Sequence, residues 1–199
     1  MTSPLDARIR FLREVDLLKS VYRRTSLGDR SRLENSAEHS WHLAVMALAL
    51  APEAPDGVRI DHVIRMLLVH DLVEIDAGDT FAFDTAGAAD KAEREHAAAE
   101  RLFGLLPAET AGQFHALWEE FEAGETREAK MATALDRFGA IIQNTQKDDG
   151  GTYRMHGIAR SAVLGRMAPI QDGLPALWPY VVSTVDDCVR AGHIREDAS

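Results

Sequence analysis

Apolar positions recur every three to four residues along almost the whole chain, and no stretch shows the strict alternation of a half-buried strand, so the pattern predicts a nearly all-α fold. A first helix is expected over about residues 5 to 21, with Ile9, Leu12, Val15 and Leu17 or Leu18 on its inner stripe. The polar run RRTSLGDRSRLENS, residues 23 to 36, contains Gly28 and no sustained period, and reads as a loop. Asn35 with Glu38 three residues later gives a capping-box-like start to a helix through EHSWHLAVMALALA. Pro52, Pro55 and Gly57 break the chain, after which Asp61 can cap a helix reaching about Ile75. Ala77 to Asp79 stop that helix, FAFDTAGAAD reads as a loop, and KAEREHAAAERLFGLL as the next helix. Pro107 opens another that ends near Gly124, and Thr126 can cap TREAKMATALDRFGAIIQNTQ. A turn at 147 to 151 then leads to two helices over about 154 to 167 and 174 to 191.

Composition narrows what such a bundle does. With 199 residues the chain reads as a single domain over 1 to 199, its core at about 30 to 145 and the flanking helices packed on it. Its 22 Lys and Arg against 32 Asp and Glu give a net charge of −10, which repels a phosphate backbone and excludes a polynucleotide partner. No apolar run approaches the roughly 18 residues of a membrane span, and the N-terminus lacks a basic segment followed by a continuous apolar one, so a cytoplasmic protein with no membrane partner is expected. Cys188 is the single cysteine, which rules out an intrachain disulfide and a thiolate zinc site. Any metal here is held by His and carboxylates.

The chemistry concentrates in VHDLVEIDAGDT, residues 69 to 80. His70 and Asp71 stand side by side among Met66, Leu67, Leu68, Val69, Leu72 and Val73, where a charge is costly unless paired or metal-bound. His39 and Asp136 lie on other predicted helices, and bundles build metal sites from facing helices. Asp71 and Asp136 both fall near the middle of predicted helices, where Asp is poorly placed as a cap. Taken together, His39, His70, Asp71 and Asp136 form a shell suited to one divalent transition metal, Mn, Co, Ni, Fe or Zn, with Mg possible. Taken singly, each also fits an ordinary buried histidine or an ion-pair partner.

The segments ENSAEHSWHLAVMALAL, MLLVHDLVEIDAGDT, LWEEFEAGETREAK and ALDRF, in this order and spacing, resemble the HD-domain phosphohydrolases, in the branch similar to 5′-deoxynucleotidases. The resemblance covers about residues 10 to 190. It implies an all-α helical bundle, with the metal held between helices by those same four residues. It also implies a nucleotide as small-molecule substrate, hydrolysis of a nucleoside 5′-monophosphate to nucleoside and phosphate, and a homodimer.

Glu74 and Asp79 follow the doublet, and Gly78 permits a turn that returns Asp79 toward the metal. Both carboxylates match active-site positions of the family resembled, and which of them is the general base stays open. Lys19, Arg23, Arg24, Arg30 and Arg32 form a local basic excess, and Arg23 or Arg24 suits a phosphate, the resemblance favouring Arg24. In LWEEFEAGE, the resemblance most nearly aligns Glu120 with a carboxylate near the active site. The better-known deoxynucleotidases place a Trp shortly after the substrate-binding Arg, whereas this chain reads RRTSLGD with Leu27, so stacking by that Trp does not carry over.

Two other functions fit the same residues: hydrolysis of a nucleoside triphosphate or cyclic nucleotide, and a silent metal or nucleotide sensor. The first would need more basic residues than one Arg-rich loop supplies. Leu177, Trp178, Val181, Val182 and Val185 on the terminal helix fit a dimer face and internal packing equally.

Overall fold

The computed structural model describes residues 3 to 80 and 90 to 197; the loop expected over 81 to 89 lies outside them. Its first helix, α1, runs Pro4–Val15 from a Ser3–Asp6 capping box, then tightens into a 3-10 turn over Asp16–Ser20. Only part of the expected stripe is inside, Leu18 with Val15 packed against the same cluster. Phe11 and Leu18 are buried, whereas Leu12 is 64% exposed and Ile9 and Leu17 also face out. The helix meets the body along one narrow edge, through Val15 and Phe11, whose ring meets that of Phe114 edge to face at 5.1 Å, and Leu12 lies outside that edge.

Residues 23 to 36 are not a loop. They belong largely to an antiparallel hairpin, β1 Tyr22–Ser26 and β2 Leu33–Asn35, with Tyr22 opposite Asn35, Ser26 opposite Leu33 and irregular pairing between. At its tip Arg30 adopts a left-handed φ of 63°. Its guanidinium grips Asp149 through Nε and Nη2, and donates to the carbonyls of Gln143 at 2.8 Å and Asn144 at 3.1 Å. That latch fastens the hairpin to the end of the longest helix.

Asn35 and Glu38 form the expected capping box, and α2 covers Ser36–Ala49. The next helix, α3, covers Ile60–Val69 with Arg59 at its cap and Asp61 inside its first turn, and it ends short of the expected Ile75. His70 caps it, residues 71 to 73 form a turn, and α4 covers only Glu74–Ala77. The break has a packing cause. Met66 and Leu67 belong to one hydrophobic cluster, while Val69, Leu72 and Val73 belong to a second one with Phe11, Ala99 and Phe103. His70 and Asp71 lie where the chain passes from one core to the other.

The remaining helices are α5 Lys91–Phe103, α6 Ala108–Ala123 and α7 Arg127–Thr145. Gly124 closes α6 at a left-handed φ of 62°, and the Thr126 hydroxyl accepts from the Ala129 N–H to start α7. α7 is the axis of the larger core, with Met131, Leu135 and Ile141 fully buried against Leu43 of α2 and Val63 and Leu67 of α3. Gly139 sets how near α2 comes: a Cβ there would lie 3.1 Å from Leu43 Cδ2 and 3.8 Å from His39 Cε1.

The two helices expected at the C-terminal end are broken into α8 Gly151–Met155, α9 Arg160–Met167, α10 Ile170–Gly173 and α11 Trp178–Arg190. Val181 and Val185 are fully buried in the α7 core, so the apolar face of α11 is used within the chain. Among the described residues no helix is long and apolar enough to cross a membrane.

Candidate active site

Two helices, α2 and α7, and the break after α3 converge on one polar centre. His39 is on the second turn of α2, His70 and Asp71 at the break, and Asp136 midway along α7. His39, His70 and Asp136 each offer a ligand atom, all within 4.8 Å of one another, and Asp71 Oδ1 lies 3.1 Å from His70 Nε2. The break has a benefit for Asp71: it frees the residue from the helix interior, where its expected position was awkward.

The protonation pattern shows which atoms are available. The Leu67 carbonyl can only accept, so the 2.9 Å contact from His70 Nδ1 places the proton there. Burial lowers the His70 pKa, which keeps the ring neutral with its lone pair on Nε2. That Nε2 is buried and has no hydrogen-bond partner. A buried acceptor aimed at two carboxylates with nothing to accept is the arrangement a cation completes, so the donor set fits a divalent metal.

His39 is held from behind. Its Nδ1 lies 3.4 Å from Glu34 Oε2, and its Nε2 is 2.9 Å from Asp136 Oδ1. Burial and the Arg23 charge oppose protonation, yet the Asp136 and Glu34 carboxylates raise the ring to about 9. Asp136 is buried, which alone would raise it, but Arg137 and His39 hold it well below the usual carboxylate range. Glu34 is 2% exposed, hydrogen-bonded by Gln143 and ion-paired with Arg23. Sequence reasoning missed it, because it lies in the segment taken for a loop. A carboxylate behind a ligating histidine orients the ring and raises its basicity.

Arg23 and Arg24 alternate across β1 and so part company. The Arg23 guanidinium enters the centre, 3.2 Å from Asp71 Oδ2, 3.9 Å from Asp136 Oδ1 and 3.5 Å from Glu34 Oε2. Its neighbouring carboxylates raise its pKa against the effect of burial. The Arg24 side chain is exposed at the rim, and its backbone N–H bonds the Asp79 carboxylate.

Glu74 and Asp79 both face the cleft. Glu74 is 6% exposed and accepts a 2.6 Å hydrogen bond from the Ser36 hydroxyl. Burial and the Asp71 charge push its pKa up to about 9, and burial also raises Asp79. Gly78, at φ 74°, makes the turn that brings Asp79 back.

Glu120 does not join them. Its carboxylate bonds His62 Nε2 at 2.7 Å and the Thr126 hydroxyl at 2.6 Å, outside the cleft. Two positions along α6, on another face of the helix, Glu122 is the one that lines the cleft. Burial raises the Glu122 pKa, and it sits near Lys91, whose Nζ pairs with the buried Glu95 at 3.1 Å. The cleft holds about 410 Å³, room for a nucleotide-sized molecule. It also brings together cations that the sequence scatters: Lys91, Arg137 and Arg166 in addition to Arg23 and Arg24. The expectation that one Arg-rich segment supplies the positive charge is thereby corrected.

The pattern of the HD domain matches residues 15 to 178. The chain is similar to 5′-deoxynucleotidase HDDC2 of Mus musculus and of Homo sapiens, 34% identical over 143 residues in each case. These matches cover 71% of this chain and 70% and 68% of the two relatives. Among solved structures, a predicted metal-dependent phosphohydrolase from Magnetospirillum magnetotacticum is 48% identical, covers 96% of each chain and superposes with a TM-score of 0.91.

Proposed function

The chain belongs to the HD-domain family, and from that premise we propose that it is a metal-dependent phosphomonoesterase acting on nucleoside 5′-monophosphates, 2′-deoxyribonucleotides among them. The products are nucleoside and phosphate. One observation carries the reading: the partnerless Nε2 of His70 faces Asp71, Asp136 and His39 at the wall of a cleft that also holds Arg23 and Glu74.

His39, His70, Asp71 and Asp136 are the proposed ligands of a divalent ion, Mn, Fe, Co, Ni or Zn by the chemistry of the donors, which would supply Lewis acidity toward the phosphoryl group. Arg23 brings a fixed positive charge to the same place and balances the substrate phosphate. Glu74, oriented by Ser36, handles the proton of the attacking water or of the leaving 5′-oxygen, and Asp79 completes the acidic wall beside it. Arg24 at the rim is suited to meeting the incoming phosphate.

In this reading the whole chain is one HD domain in the cytoplasm and acts as a homodimer. Trp41, Val45 and Leu48 support the dimer, since they recur at helical spacing on the exposed side of α2 and Trp41 is 64% exposed. Sedimentation of the wild type and of Trp41→Glu tests that arrangement.

A second reading, hydrolysis of a nucleoside triphosphate, is favoured by the five cations at the cleft. One assay separates the two. Nucleoside mono-, di- and triphosphates are incubated with chelated protein and then with Mn, Co, Ni, Zn or Mg. Metal-dependent phosphate release from monophosphates is expected, and pyrophosphate or triphosphate release would replace the first reading with the second. Binding without turnover under every metal would sink both.

A further inference from the structure

Arg166 stands on α9, outside every segment that suggested chemistry in the sequence, yet its side chain lines the cleft. Its surroundings are unusual for a partly buried guanidinium. Arg137 on α7 is engaged by Asp136 at 2.9 Å, and Arg23 by Asp71 and Glu34. Arg166 has no hydrogen bond or ion pair with any described residue. Burial and the neighbouring Arg137 lower its pKa to about 10, Asp136 opposing, so the guanidinium stays charged at neutral pH in a place the fold makes unfavourable for it.

Beside it, Tyr153 of α8 is 3% exposed, and its hydroxyl has no hydrogen-bond partner. Asn144, beside the ring, bonds the Ala140 carbonyl through its NH2 and accepts from the Thr152 N–H, and it acts on the Tyr153 hydroxyl from the same side. Three arginines, Arg23, Arg137 and Arg166, and the Tyr153 ring line the same cleft in a chain of net charge −10, and the unpaired Arg166 guanidinium among them suits an anion supplied from outside.

We propose that Arg166 is a substrate-binding residue that grips the phosphate of the substrate from the α9 side of the cleft, with the Tyr153 hydroxyl as a neighbouring donor. A guanidinium offers two parallel N–H donors to phosphate oxygens, and one with no internal partner forfeits no ion pair on binding. The phosphate is thus held from two sides, Arg23 of β1 on one and Arg166 of α9 on the other. The assignment rests on the phosphatase reading for the identity of the substrate, but not for the anion.

The test uses the full chain and Arg166→Gln, Arg166→Lys and, as an exposed control, Arg154→Gln. Inorganic phosphate binding is measured by calorimetry, metal content by elemental analysis, and KM with a deoxynucleoside 5′-monophosphate. R166Q is expected to weaken inorganic phosphate and raise KM by about tenfold or more, with metal content and Tm unchanged. R166K should fall between R166Q and wild type, and R154Q should match wild type. Phosphate affinity and KM within about twofold of wild type in R166Q would overturn the assignment. So would a joint loss of metal and Tm in both R166Q and R166K, which would make Arg166 a structural residue. If wild type hydrolyses no monophosphate, the proposed function fails while phosphate binding still decides the role of Arg166.

Discussion

Two arginine networks in this protein look alike on paper and differ in one respect. In the latch, Arg30 directs Nε, Nη1 and Nη2 at Asp149 and at the carbonyls of Gln143 and Asn144, and every donor group of the guanidinium is met. At the polar centre, Arg23 Nε, Glu34 Oε2 and His70 Nε2 are buried with no hydrogen-bond partner, and Glu74 is pushed up to about 9 by burial and Asp71. Both are built from arginines and carboxylates of distant segments. The closed network holds the fold together; the open one is arranged around something the chain does not itself provide. What distinguishes the polar centre from the latch is the partnerless His70 Nε2 rather than charge.

The sharpest way to break this contrast is His70→Ala. It should remove the bound metal and reduce phosphate release on the order of 10³-fold or more, measured by elemental analysis and turnover. Full metal content with full activity would put the centre elsewhere. Glu74→Gln should divide the open network internally, keeping the metal while lowering kcat about 10² to 10⁴-fold. Glu34→Gln acts through His39, and a metal titration should find affinity lower by about 10 to 100-fold.

The closed network should answer to a different assay. Arg30→Ala is expected to destabilise the chain by about 1–3 kcal/mol in a denaturant titration, with metal content unchanged. The smallest effect is on pH. Arg30 lowers the Asp149 pKa to about 2, so the stabilisation it gives is present above the unfolded carboxylate value, about 3.9, and is lost as pH falls through about 2. The Tm advantage of wild type over Asp149→Asn should therefore shrink between about pH 4 and 2. A constant gap across that window would remove the ion pair as its source.

How far the sequence exposes this division depends on periodicity. His39, His70, Asp71 and Asp136 stand out because each interrupts an apolar helical pattern, and the capping residues Asn35 and Thr126 mark where α2 and α7 begin. Glu34 and Arg30 lie in short, irregularly paired strands and their turn, where no alternation marks them. The break at His70 was hidden because both cores are apolar and a continuous run cannot reveal which cluster each residue joins. Glu120 and Glu122 share one acidic run, and two residues on a helix decide which of them meets the cleft. Arg166 is a single cation on an ordinary amphipathic turn, and only the approach of α9 to α7 gives it meaning.

Arg23 has a bearing on the life of the chain before it ever turns over a substrate. With a guanidinium lodged between Asp71, Asp136 and Glu34, the carboxylates are already balanced by a charge the chain carries with it. In small zinc domains folding waits for the ion, because without it the ligands have no reason to gather. Here the chain carries its own cation into the carboxylate cluster, so the gathering of these side chains is written into the fold by Arg23.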